Sequence, residues 1–241
     1  MAVAQKLRCR VERILDHGDH VYTVDLVPDK CVPLFKPGQF LHLALDSYDP
    51  SDFWPESRVF SIANSPKTRD HLSITYSVRG RFTARMEKEL RIDCQVWIKM
   101  PYGEFVVRDT GDIVLLAGGT GITAFTAFLD GLVPTFEHNV FLAYGARTSS
   151  LLIYRNLLDR CAAVVPHLRI LFFVEHNDLD SAELRSAVVG RISVAVLWRN
   201  LKNPFLATYY ISGPPEMIKA ISRDLIGRGV GANSIKIDAW E

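Results

Sequence analysis

The sequence predicts two domains of different class: an antiparallel β-barrel or sandwich over residues 1–108, then an α/β domain with a doubly wound parallel sheet over residues 109–241. Three observations carry that expectation. The first half consists of short strand-like runs separated by Gly, Pro and Asp turns. At residues 113–117 the composition changes to a continuous apolar run, followed at once by a glycine cluster and a helix-length apolar segment. Beyond that point short apolar runs alternate with helical segments.

In the first half, strands are expected at residues 7–15 and 21–27, joined by the turn Asp16-His17-Gly18-Asp19. Further strands follow at 40–45 (after Lys36-Pro37-Gly38), 59–62, 72–78 and 95–100. One embedded helix is expected over 83–90, with Thr83 as its cap. In the second half the strands are 113–117, 140–144, 169–174 and 208–211, with helices at 122–132, 151–163 and 215–228.

Composition narrows the function. The 28 basic and 27 acidic side chains leave no electrostatic footprint for nucleic acid or an anionic membrane. The N-terminus lacks the apolar core of a signal peptide, and no stretch approaches the ~18 apolar residues of a membrane span, so a cytoplasmic protein is expected. Cys9, Cys31, Cys94 and Cys161 are scattered. Iron–sulfur and structural zinc sites need thiolates at short spacings, so no metal site is expected, and the four are read as small buried hydrophobes.

Several short motifs carry chemistry. Gly118-Gly119-Thr120-Gly121-Ile122-Thr123 lies between a buried strand and a helix, where the backbone can approach a pyrophosphate and free N–H groups and the helix dipole meet its charge. Arg58-Val59-Phe60-Ser61 lies in a strand, with Arg58 and Phe60 on one face and Ser61 on the other. It offers a forked phosphate donor, a flat ring and a small hydroxyl. Gly80-Arg81-Phe82-Thr83 is a glycine turn feeding a helix N-terminus. Ser212-Gly213-Pro214-Pro215 ends a strand and starts a helix, at the strand edge where doubly wound sheets bind ligands.

In this order, with Pro101-Tyr102-Gly103-Glu104-Phe105, Tyr144-Gly145-Ala146-Arg147 and Gly190-Arg191, the motifs resemble the ferredoxin–NADP reductase superfamily over essentially the whole chain. The resemblance implies a flavin-binding Greek-key barrel followed by a nicotinamide-dinucleotide domain. It assigns the FAD phosphates to Arg58 and the Gly80–Thr83 turn and the flavin ring to Phe60, with Val59, Tyr76, Ser77 and Val78 also among the cofactor-binding residues. Ser61 would donate toward flavin N5. Residues 118–123, Arg147, Glu175, Gly213, Pro214 and Pro215 fall to the nicotinamide dinucleotide. Ser212, Asp238 and Trp240 fall to the catalytic edge, with Trp240 stacking on the flavin until nicotinamide displaces it. Ser212 stands where a cysteine is usual, and Asp238 where plant-type members have glutamate, so slower turnover is expected.

The dinucleotide is expected to be NADH. Thr148-Ser149-Ser150 and Arg155 offer groups for the 2′-phosphate of NADPH, but Glu175-His176 occupies a place where an arginine would favour it. A carboxylate a few ångströms from a phosphate costs on the order of 1–4 kcal/mol. The leading expectation is a reductase passing electrons from NAD(P)H through FAD to a ferredoxin, flavodoxin or oxygenase. The alternatives are a free-flavin reductase and a non-catalytic flavin-binding conduit.

Overall fold

A computed structural model describes residues 3–108, 110–176 and 187–238. The chain divides into two compact units, one comprising residues through Val106 together with Thr126–Phe128, the other Val107–Phe125 and the chain from Leu129 onward.

The first unit is a nearly closed antiparallel barrel. Its strands are β1 (Gln5–Asp16), β2 (Val21–Pro28), β3 (Phe40–Ala44), β4 (Ser57–Ser61), β5 (Leu72–Ser77) and β6 (Gln95–Tyr102), with helix α1 (Arg81–Glu89) between the last two. They lie in the order β4-β3-β6-β1-β2-β5. The insertion of β6 between β3 and β1 makes the connectivity Greek-key. Alternation decides which side chains fill it. Along β1, Leu7, Cys9 and Val11 point inward and Lys6, Arg8 and Arg10 outward. Leu26, Leu41, Leu43, Leu72, Ile74 and Ile98 complete a core that α1 closes with Phe82 and Met86.

The second unit is a parallel sheet: β7 (Ile113–Gly118), β8 (Val140–Ala146), β9 (Leu168–Val174), β10 (Val188–Val189), β11 (Thr208–Ser212) and β12 (Ile235–Ile237), ordered β10-β9-β8-β7-β11-β12. Helices α2 (Thr123–Asp130), α3 (Arg155–Val164), α4 (Val194–Trp198) and α5 (Pro215–Gly227) complete it. Every residue of β7 is buried, as a strand covered on both faces requires. Val114, Leu116, Phe141, Tyr209 and Ile211 pack against Ile218, Ile221 and Leu225 of α5 on one face. Strand order reverses between β7 and β11, the position where a doubly wound sheet opens a ligand crevice.

Several local expectations change. Thr83 is not the cap of α1 but sits inside its first turn. Gly80 is the N-cap, and the Thr83 hydroxyl accepts from the Arg79 and Gly80 amides at 2.9 and 3.1 Å. The helix expected from residue 151 starts only at Arg155, because Tyr154 adopts φ +62° and Ser149–Leu151 forms a separate 3₁₀ turn. Strands β10 and β12 and helix α4 were not expected. Among the cysteines, Cys9 and Cys161 are buried as expected, whereas Cys31 is exposed and Cys94 only partly covered. No helix among the described residues is long and apolar enough to cross a membrane, and no group of three or more His, Cys, Asp or Glu could hold a metal.

Candidate functional site

In the first unit, three sequence motifs meet around the start of α1. Gly80 adopts extended backbone at the helix N-cap with no side-chain cap, so the first-turn amides point outward without an intrahelical acceptor. A Cβ on Gly80 would meet nothing within 4 Å, leaving the approach to those amides open. Arg58, from β4, lies over the Phe82 ring at 5.3 Å. Its guanidinium reaches Glu56 at 3.2 Å, and Arg81 reaches the same Glu56 oxygen at 3.2 Å. Two guanidinium groups therefore converge on one anion beside a helix N-terminus. That donor set fits a phosphate.

The remaining flavin-assigned residues divide by burial. Phe60 lies within the barrel core, its ring 6.2 Å from Tyr76. Tyr76 is also buried, and burial pushes its phenol up, so it remains neutral. Ser61 is buried and pairs with Phe40 across β3, while Val59, opposite His42, is partly covered. Val78 donates its amide to His20 at 2.9 Å, and Ser77 accepts from Arg79 at 3.1 Å. The structure thus gathers Arg58, Gly80, Arg81, Phe82 and Thr83, and places Phe60 and Tyr76 as a neighbouring aromatic pair. Sequence reasoning passed over Glu56, since an acid two residues before an arginine gives no signal that both would face one point.

In the second unit, the predicted residues line the carboxyl edge of the sheet. Gly118 ends β7 and leads through a 3₁₀ turn, Gly119–Ile122, into α2; the Thr123 hydroxyl donates to the Thr120 carbonyl at 2.8 Å. The glycines have distinct tasks. A Cβ on Gly121 would lie 2.4 Å from the Ser212 carbonyl oxygen, and one on Gly118 would lie 2.5 Å from the Met217 sulfur. Gly213, at φ +152°, would bring a Cβ to 3.0 Å from the Gly118 nitrogen. Gly121 and Gly213 let the β7 and β11 turns close on each other backbone to backbone, and Gly118 makes room for the Met217 and Pro214 side chains. Gly119 alone, at φ +54°, leaves open space where a Cβ would be. Pro214 is the N-cap of α5 and Pro215 its first residue.

At the same edge Ser212 donates to the Asp238 carboxylate at 2.8 Å, with both side chains buried. The Asp238 amide donates to the Ile211 carbonyl at 2.9 Å. Next to β7, the ends of β8 and β9 carry Arg147 and Glu175, tied by the amide of His176 donating to the Arg147 carbonyl at 2.9 Å. Glu175 pairs with Arg191 at 3.2 Å, so an arginine does stand beside it. Arg155 lies over the Phe172 ring at 4.4 Å and pairs with Asp159 at 3.0 Å, while Thr148 and Ser150 bond each other at 3.0 Å. Trp240 lies outside the described residues.

Residues 115–223 match the family model described as an oxidoreductase NAD-binding domain. A flavohemoprotein of Rhizobium meliloti (strain 1021) is 26% identical over 212 residues, covering 81% of this chain and 50% of the relative. The reductase component DmpP of phenol 2-monooxygenase from Pseudomonas sp. (strain CF600) is 30% identical over 162 residues, 65% of this chain and 44% of its own. The chain thus spans about half the length of these curated relatives. In fold it is similar to the FAD/NAD-binding domain of nitric oxide dioxygenase from Vibrio cholerae O1 biovar El Tor, with TM-score 0.80 at 17% identity, over 100% of this chain and 99% of that one. A barrel followed by a switch-point sheet is thus a fold that this chain shares with that FAD/NAD-binding domain, and within it residues 115–223 match the oxidoreductase NAD-binding domain.

Proposed function

We propose that this chain is a flavin-dependent reductase that takes reducing equivalents from NAD(P)H, NADH by preference, and delivers electrons to a separate protein acceptor such as a ferredoxin, flavodoxin or oxygenase. The observation that carries the reading is the junction at the switch point. There the Gly118–Gly121 turn opens between β7 and β11, closed behind by backbone contact and held by the buried Ser212–Asp238 pair. Kinship with oxygenase reductase components supports the acceptor class.

A bound FAD would accept a hydride from the reduced nicotinamide and release electrons one at a time. The chain's own residues bind and orient. Arg58, Arg81 and the first-turn amides of α1 supply donors for the flavin phosphates. Gly119 and its neighbours in the 3₁₀ turn admit the dinucleotide backbone. Ser212 holds its proton toward Asp238, which fixes the hydroxyl's orientation at the strand edge. Glu175 offers two acceptor oxygens suited to a ribose diol and repels an added phosphate, which favours NADH. Arg191 offsets part of that repulsion, so the preference is expected to be moderate.

The test is an anaerobic titration of the purified, flavin-loaded protein with NADH and, separately, NADPH, following the flavin absorption band. Stoichiometric bleaching by NADH at lower concentration than NADPH is the expected result. Retained flavin that neither dinucleotide bleaches would refute the reductase reading.

A further inference from the structure

Four arginines surround the candidate phosphate turn, and they are engaged differently. Arg85 is held by Asp46 and Glu89 at 2.8 and 2.9 Å, and Arg79 reaches the Ser77 hydroxyl at 3.1 Å. Arg58 and Arg81 instead meet on one carboxylate, both reaching Oε1 of Glu56 at 3.2 Å, with Arg81 also 3.4 Å from Oε2 and Arg58 also donating to the Ser57 carbonyl at 2.8 Å. One guanidinium comes from β4 and the other from the first turn of α1. A carboxylate oxygen and a phosphate oxygen ask for the same thing at this point: charge-assisted N–H donors from two directions. The Glu56 side chain is 33% exposed and Arg81 is 81% exposed, so these contacts are solvated and readily exchanged.

We infer that Glu56 is an internal anion at the flavin-phosphate position, which a phosphorylated flavin must displace, and that it thereby sets how tightly FAD or FMN is held. This rests on the reading above that Arg58 and Arg81 hold the flavin phosphates. Two effects act in the same direction. Displacement gives up the Glu56 contacts that the arginines already make. The displaced carboxylate then stays tethered two residues from Arg58, close to a doubly charged ligand. An unphosphorylated flavin takes no part in either effect. Glu56 therefore discriminates by phosphate, and it makes the flavin exchangeable rather than permanently held. An exchangeable flavin suits turnover of free flavin as a substrate as well as a prosthetic group.

The experiment titrates flavin-stripped protein with FAD, FMN and riboflavin, reading flavin fluorescence, for wild type, Glu56→Gln, Glu56→Asp and the double variant Arg58→Ala/Arg81→Ala. Thermal melting of each variant reports its fold. Glu56→Gln is expected to tighten FAD and FMN by about three- to tenfold and to leave riboflavin within about twofold. Glu56→Asp, which keeps the charge, should remain close to wild type. Unchanged or weaker FAD binding by Glu56→Gln, or equal tightening of all three flavins, overturns the inference. If the double arginine variant binds FAD as wild type does, the phosphate-site reading itself has failed. If it binds weakly while Glu56→Gln is unchanged, only the role of Glu56 has failed.

Discussion

Substituting Gly121 by alanine tests whether the β7–β11 junction is built by the absence of side chains. The new Cβ would stand 2.4 Å from the Ser212 carbonyl oxygen, 2.6 Å from its carbon and 2.7 Å from the Gly213 nitrogen. All three are backbone atoms between a strand and a helix, so none can swing aside as a side chain would. Non-bonded carbon contacts settle at about 3.5 Å, so the two turns must part by roughly 1 Å. Overpacking of that kind costs about 1–3 kcal/mol, and the rigid neighbours put this case in the upper half. For a chain of this size each kcal/mol lowers the melting temperature by about 2–4 °C, giving an expected drop of about 4–12 °C.

Two sister variants separate the clash from a general effect of losing glycine. Gly119→Ala meets no atom but must hold φ +54°, a cost of roughly 1–2 kcal/mol without displacement of β11. Gly80→Ala keeps an extended backbone and meets nothing, and the entropy gained in the unfolded chain offsets the poorer N-cap, so its melting temperature should stay within about 2 °C of wild type. Differential scanning fluorimetry gives the order, and NADH titration shows whether the parted turns also bind more weakly. Gly121→Ala melting with wild type would refute the junction as described, and so would a loss no larger than that of Gly119→Ala.

Three further outcomes follow from single contacts. Ser212→Ala removes the hydroxyl donor from the buried Asp238 carboxylate and should cost about 1–3 kcal/mol in urea unfolding; a Ser212→Ala/Asp238→Asn cycle showing no coupling would argue against the pair. The hydrogen bond that His20 donates to the Glu87 carboxylate raises the pKa of His20 above its ordinary 6.5, and the same bond lowers that of Glu87 below 4.5. Their contribution is therefore full between those two values, lost as pH rises through the raised His20 pKa or falls through the lowered Glu87 pKa, so the destabilisation by His20→Ala should shrink from pH 6 to pH 9. Cys31 is exposed, whereas Cys9 is buried with its thiol pKa pushed up, so a maleimide should label Cys31 in the folded protein and reach Cys9 only after unfolding.

How much of this was legible depended on the range of the interaction. The short runs punctuated by Gly, Pro and Asp turns in the first half and the unbroken apolar run of β7 are local, and both gave the right class of sheet. The short elements had no such signal. Strand β12 spans three residues and exists because β11 pairs with it, and the Val-Ala-Val start of α4 reads as strand by propensity. The late start of α3 comes from the left-handed Tyr154, a conformation that tyrosine rarely adopts and sequence does not announce. At the candidate site the glycine spacing was visible but not the division of labour within it. Only the long-range pairing of β7 with β11 decides that Gly118 and Gly121 are packed while Gly119 is open. Glu56 was likewise hidden, and Arg191, although part of a recognised motif, gave no sign that it would pair with Glu175.

That division separates what holds the carboxyl edge together from what a ligand reads there. The junction is made of backbone contacts at Gly121 and Gly213, side-chain packing of Met217 and Pro214 on Gly118, and one buried polar pair, and the two backbone contacts cannot change without moving a strand. Arg147 and Arg191 are exposed, and Glu175 is only partly covered, so their replacement disturbs little packing. Surface changes of this kind usually fall within about 0.5 kcal/mol of neutral. Dinucleotide preference should therefore be separable from stability. Glu175→Gln removes the repulsion of a 2′-phosphate and frees Arg191, and a solvent-exposed charge contact of this sort is worth up to about 1 kcal/mol. The ratio of NADPH to NADH affinity should rise by about two- to fivefold at nearly constant melting temperature. Adding Arg191→Ala should reverse most of the gain. An unchanged ratio would remove Glu175 from dinucleotide recognition, and a large fall in melting temperature would mean that this rim belongs to the scaffold after all.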